Sequence, residues 1–168
     1  MKKIILSLML LAPFFFSSCQ EAAELTGSME LTIGNETHSF PVATFLVQGD
    51  RTIITSTDVA NSATIIFKGK TAKTYSLGIG ANLEEVLANL NSLDNAENVI
   101  IYYPTGAVDD SYISIYGTLQ VTEYTDKKVV GTFTGFGITK KQATEGVVDI
   151  ITSQKKAITG KFTAKAVN

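Results

Sequence analysis

The chain has 168 residues, of which 18% are charged and 45% apolar, with one cysteine, one histidine and no tryptophan. That content supports a globular domain, and it excludes a disulfide-stapled scaffold and a zinc centre built on several imidazoles or thiolates. The formal charge is −2, and −4 once Lys2 and Lys3 are set aside, which argues against nucleic acid or anionic lipid as the main partner.

The first segment reads as a leader. Lys2 and Lys3 precede a mostly apolar run over residues 4–16, and the small pair Ser17 and Ser18 follows. A positive start, an apolar middle and small residues at the cut are the order of a secretory signal. A run this short does not span a bilayer, which needs about 20 apolar residues, and Pro13 interrupts it as a helix. Ser17, Ser18 and Cys19 resemble the bacterial lipoprotein lipobox, with Phe16 where leucine is common. The resemblance implies cleavage before Cys19, lipid on its thiol and a membrane anchor there. Phe-Ser-Ser-Cys is similar to the form found in Bacteroidota lipoproteins, and Gln20, Glu21 and Glu24 resemble the signal that sends them to the outer leaflet of the outer membrane. The expectation is a lipoprotein signal peptide over 1–18, a lipidated tether over 19–27 and a single all-β domain over 28–168. The protein is then lipid-anchored in the outer membrane and exposed at the surface. With no second cysteine, its stability has to come from packing.

From Met29 the chain alternates with a period of two. Met29, Leu31 and Ile33 share one parity, Gly34-Asn35 supplies a turn, and "ETHSF" returns. Further strands are predicted over 44–48, 51–55, 63–68 and 74–77. Residues 82–93, "NLEEVLANLNSL", break the pattern: Leu83, Val86, Leu87, Leu90 and Leu93 have helical spacing, with Asn82 as cap and Glu85 three residues on. This predicts one short amphipathic helix packed on the sheet or plugging a barrel end. The apolar "VIIYY" at 99–103 follows as another strand.

Two long strands, "YISIYGTLQVTEY" and "TDKKVVGTFTGFG", then form a hairpin. A register in which paired residue numbers sum to 254 sets Val121 opposite Phe133 and Leu119 opposite Gly135. It needs a three- or five-residue connection such as Asp126-Lys127-Lys128. Gly117, Gly131, Gly135 and Gly137 fall on the apolar parity, where they permit sharp coiling. At the C-terminus Ile158, Gly160, Phe162, Ala164 and Ala166 alternate with Thr159, Lys161, Thr163 and Lys165, so one face is wet. No Lys or Arg falls between Lys73 and Lys127, whereas eight lysines follow from Lys127 onward. These opposite charges either sit on different faces or neutralise one another as sheet neighbours.

Candidate chemistry is sparse. Gly78 and Gly80 before the helix imitate a dinucleotide loop, but Leu83 stands where the third glycine belongs, and no cofactor is expected. His38, the only histidine, reads as a surface-strand residue. Asp109 and Asp110 lie in the oxygen-rich "PTGAVDDSY" loop, a candidate calcium site that lacks the regular ligand spacing of an EF-hand. Tyr112, Tyr116 and Tyr124 share the parity of Thr118, Gln120 and Thr122. If that parity faces solvent, they form a polar-aromatic surface for ligand contact.

The mature segment resembles small Bacteroidota-type lipoproteins of the outer membrane or cell surface, domains with little assigned biochemistry. The likeness rests on the lipobox, the "GTLQVTEYTDKKVVGTFTGF" hairpin and the closing "ITGKFTAKAV" strand, and it implies no catalytic residues. The predicted fold is an all-β antiparallel barrel, lipocalin-like, or a β-sandwich, of about eight to ten strands with one short amphipathic helix. The expected function is a non-enzymatic binding or accessory module that holds a small ligand, a glycan or an envelope protein. The alternatives are an envelope hydrolase working through Asp109, Asp110 or Glu123, and a structural partner of another envelope protein.

Overall fold

The computed structural model describes residues 26–78, 97–145 and 154–167. The leader, Cys19, the tether up to residue 25 and the amphipathic stretch 82–93 lie outside the described residues. Among the described residues there are ten strands: β1 (Ser28–Ile33), β2 (Glu36–Phe40), β3 (Val42–Gln48), β4 (Arg51–Thr57), β5 (Asn61–Lys68), β6 (Thr74–Gly78), β7 (Val99–Pro104), β8 (Tyr112–Tyr124), β9 (Lys128–Thr139) and β10 (Lys156–Ala166). A 3-10 turn at Val108–Asp110 and a helix at Lys140–Glu145 complete the described elements.

Seven of the strands close into a barrel in the order β3-β4-β5-β7-β8-β9-β10. Every neighbouring pair is antiparallel except the closing one, where Lys165 and Ala166 of β10 run parallel to Thr44 and Phe45 of β3. The rest of that β10 edge is taken by β1, which carries β2 on its far side. In the same way β8 shares one edge between β7 and β6. The choice between barrel and sandwich therefore falls to the barrel.

The alternation of the sequence determines which side chains fill it. Leu31, Phe40, Ile54, Ile65, Phe67, Leu77, Ile100, Leu119 and Val129 are almost wholly buried and belong to one core cluster. A barrel of this strand number is just wide enough for side chains to fill, and the described interior is packed rather than hollow. Gly34 has φ +61°, as the first position of a two-residue II′ turn requires, so β1 and β2 join through Gly34-Asn35 with Ile33 opposite Glu36. At the seam Gly27, φ +67°, lies against the carbonyl oxygens of Ala43 and Thr163, leaving no room for a side chain.

The long hairpin departs from the predicted register by two residues and keeps its parity. Phe133 faces Leu119 rather than Val121, and Val121 faces Gly131. The cause lies at the tip and just below it. Thr125 N–H donates to the Lys128 carbonyl at 2.8 Å and Lys128 N–H donates to the Thr125 hydroxyl at 2.9 Å, so only Asp126 and Lys127 turn the chain. One extra residue, Thr122, then bulges out of β8, and a second bulge follows at Ile115. Glu123 bonds Lys128 at 2.8 Å, so the acidic and basic stretches meet here as sheet neighbours.

Candidate functional site

The two bulges redistribute the three tyrosines, because each extra residue turns the next part of β8 over. Tyr112 packs against the core, Tyr116 keeps the outer parity, and Tyr124 turns inward again. The predicted tyrosine surface is therefore not formed. Tyr116 is only 8% exposed and stacks on Phe136 with ring centroids 5.0 Å apart, and desolvation raises its phenol pKa above the usual value. Tyr124 lies edge-on to Phe45 and Phe67 inside the barrel. The buried Thr52 hydroxyl donates to the Gly69 carbonyl at 2.7 Å, so the Tyr124 hydroxyl, 2.8 Å away, is the donor to Thr52.

Asp109 and Asp110 are exposed on the 3-10 turn beside β8, and next to them the buried Ser111 hydroxyl has no hydrogen-bond partner. Among the described residues no three or more His, Cys, Asp or Glu side chains converge into a metal-holding group. Glu123 stands near the other end of the same strand, roughly 35 Å from the two aspartates at about 3.3 Å per residue. Glu123 therefore pairs with neither aspartate.

His38 is not a plain surface residue. It shares the parity of Phe40 on β2, is half-buried and packs its ring at a tilt against Tyr102 with centroids 4.6 Å apart. The Tyr102 hydroxyl donates to Asn61 Oδ1 at 3.0 Å, and Asn61 Nδ2 donates to Asp58 at 3.3 Å. Burial, reinforced by the negative charges of Asp58 and Glu36, pushes the Tyr102 phenol pKa up. This chain of polar groups has a structural purpose, since it gives the largely buried Tyr102 hydroxyl its hydrogen-bond partners.

A concavity lies on the outer surface. On the wall formed by β2, β1, β10, β9, β8 and β6, the cross-strand register aligns Thr37, Thr32, Thr159, Thr134, Thr118 and Ser76 into one transverse row. The next row reads Ser39, Glu30, Lys161, Thr132, Gln120 and Thr74. Threonine suits such sites because its branched carbon fits the pleat while its hydroxyl meets water. Below the second row the coiled sheet opens a groove of about 780 Å³, lined by Glu30, Ser39, Thr132, Lys161 and Thr163 and, over more of its surface, by apolar groups of residues such as Met29, Phe40, Pro41, Val130 and Phe162. Lys161 Nζ and a Glu30 carboxylate oxygen are 3.5 Å apart within it. Both are well exposed, so the pair adds little stability, but it leaves the groove without net charge. The lining offers hydrogen-bond donors and acceptors around a larger apolar area, which fits a neutral ligand bearing both hydroxyls and apolar faces better than an ion. The sequence shows each Thr-Lys alternation but not the groove, since five strands distant in sequence build it. Among the described residues no helix is long and apolar enough to cross a membrane. No protein-family model matches the chain, and no curated protein sequence matches it.

Proposed function

We propose that this protein is a lipid-anchored, non-enzymatic binding module of the cell envelope, and that it holds a neutral, hydroxyl-rich ligand such as a glycan in its outer groove. The observation that carries the reading is the groove itself: about 780 Å³ with a largely apolar lining, rimmed by hydroxyls and one self-neutralised ion pair. Its walls belong to the rigid sheet, so little ordering is needed on binding. The anchor follows from the lipobox-like Ser17-Ser18-Cys19, and Cys19→Ala is expected to move the protein from the membrane to the soluble fraction. Unchanged fractionation rejects the anchor.

Binding is tested by thermal shift of residues 20–168 against neutral oligosaccharides, charged oligosaccharides, fatty acids and calcium. A ligand at 100 times its Kd stabilises by about 2.7 kcal/mol. Neutral oligosaccharides are expected to raise the Tm in a concentration-dependent way. Thr132→Arg or Thr163→Arg, each filling the groove from an exposed or half-buried position, is expected to abolish that rise. A rise that survives both substitutions places the ligand elsewhere.

A further inference from the structure

The chain enters the barrel at the rim of the groove. Gly27 packs on the Thr163 carbonyl, and the Thr26 hydroxyl donates to the Pro41 carbonyl at 3.4 Å. Thr163, Pro41 and the next residue, Ser28, all line the groove. Its surface is mixed in character. Ser39 and Thr132 are exposed and bring hydroxyls to the edge, Pro41 and Val130 add apolar surface, and Lys161 and Glu30, 3.5 Å apart, cancel each other's charge. A charged ligand would have to break that pair to find a counter-ion. A wholly apolar one would strip water from the hydroxyls without replacing it, and a bare sugar would leave the larger, apolar part of the lining uncovered. The groove suits a molecule in which a hydroxyl-bearing part and an apolar part are joined.

We infer that the ligand of this groove is a neutral glycolipid, met in the same bilayer that holds the lipid of Cys19. The inference deepens the binding and anchor readings above and rests on them. Cys19 and Gly27 are eight residues apart, so the leash spans at most about 29 Å. Strand β8 alone, with 13 residues, is about 43 Å long. Because the root of this short leash is the groove rim, the rim stays within about 29 Å of the headgroups however the domain turns. Sugar hydroxyls then meet Ser39 and Thr132, and the first carbons of the tail cover the apolar lining. Anchor and ligand share one membrane, which makes the encounter intramolecular in effect and lets a shallow groove work at modest intrinsic affinity. A headgroup without charge agrees with the self-neutralised pair and with the net charge of −2 on the chain.

Two measurements test it. In the first, the Tm of residues 20–168 is followed against a neutral oligosaccharide, its octyl glycoside below the micelle concentration, and octanol. Burying about two methylenes of the tail is worth about tenfold in affinity. The glycoside is therefore expected to raise the Tm at a concentration about tenfold or more below that of the oligosaccharide, octanol to give no rise, and Thr132→Arg to abolish the effect. Equal potency of oligosaccharide and glycoside overturns the inference and leaves the glycan reading standing. Equal potency of octanol and glycoside, or no rise from any probe, overturns both. In the second, Ser39→Trp reports from the groove rim, since the chain has no tryptophan of its own. The mature variant is coupled through Cys19, the only thiol, to a maleimide lipid in phosphatidylcholine vesicles with or without a neutral glycolipid. Its emission is expected to shift only where the glycolipid is present. An unchanged emission, in a variant whose Tm still responds to the octyl glycoside, overturns the encounter within one membrane. If Ser39→Trp loses the wild-type circular dichroism or that response, Thr122→Trp replaces it. Because the coupling supplies the anchor chemically, a negative result counts against the glycolipid, whereas fractionation of Cys19→Ala counts for or against lipidation.

Discussion

Phe162 on β10 lies directly opposite Gly131 on β9, and one step along the ladder Gly160 lies opposite Phe133. Each ring covers the bare backbone of the glycine across from it. A Cβ at Gly131 would sit 2.7 Å from Phe162 Cζ, and one at Gly160 would sit 2.3 Å from Phe133 Cζ. The two pairs let large aromatics and a tightly coiled wall share a narrow barrel. Gly131→Ala is expected to cost about 1 to 3 kcal/mol through overpacking, read as a lower urea midpoint with an unchanged slope. Combining it with Phe162→Leu is expected to recover part of that loss. It will not recover all of it, because the Gln120 carbonyl is also 2.6 Å from the new atom.

The hydroxyl pair Thr52 and Tyr124 separates two kinds of loss. Tyr124→Phe removes a donor and leaves Thr52 bonded to Gly69, so the expected cost is about 0.5 to 1.5 kcal/mol. Thr52→Val deprives both the Gly69 carbonyl and the Tyr124 hydroxyl of this partner in a part-buried site, and a combined cost of about 1 to 3 kcal/mol is expected. Denaturant unfolding of the two variants should therefore rank Thr52→Val as the worse. The reverse ranking would remove Thr52 as the hub of this network.

The strands were legible because their side chains alternate without interruption. Ile158, Phe162 and Ala164 are buried while Thr159 and Lys161 are exposed, as the period of two requires. The bulges were not legible, because an extra residue inside a run of good strand formers carries no local mark. Ile115 and Thr122 look like any neighbours, yet they decide that Tyr112 and Tyr124 point inward. The glycines on the inner parity could be read from the sequence, but their pairing with Phe133 and Phe162 depended on a register set by the turn at Thr125. His38 was read as a surface residue because its partner, Tyr102, is 64 residues away. The groove was hidden for the same reason: it runs across strands, and only the register between strands aligns its walls.

Removing Thr122 tests the bulge directly. Without the extra residue Val121 and Glu123 become neighbours opposite Gly131 and Val130, so Glu123 still faces out, and Tyr124, opposite Val129, still faces in and keeps its bond to Thr52. Deletion of Thr122 is therefore expected to keep the near-ultraviolet circular dichroism of the packed aromatics, because every ladder pair on either side of it survives. Loss of that signal would show that the extra twist of the bulge, and not the pairing alone, seats Tyr124.

Asp58 gives the fold a defined sensitivity to acid. Its carboxylate accepts the backbone N–H groups of Ala60 and Asn61, each at 2.6 Å, and so holds the β4–β5 turn. These hydrogen bonds, with that from Ala60 foremost, lower its pKa below the ordinary 3.8. The fold therefore favours the ionised form, and the stabilisation is fully present above the unfolded pKa. It is lost as pH falls through the lower folded value. Asp58→Asn keeps one acceptor oxygen and loses the charge, so its Tm is expected to lie below that of the wild type at neutral pH. On acidification the wild-type carboxylate protonates while the amide stays as it was, and the gap between the two Tm curves is expected to narrow below about pH 4. A gap of constant size down to about pH 2 would show that the turn depends on the shape of the side chain rather than on its charge.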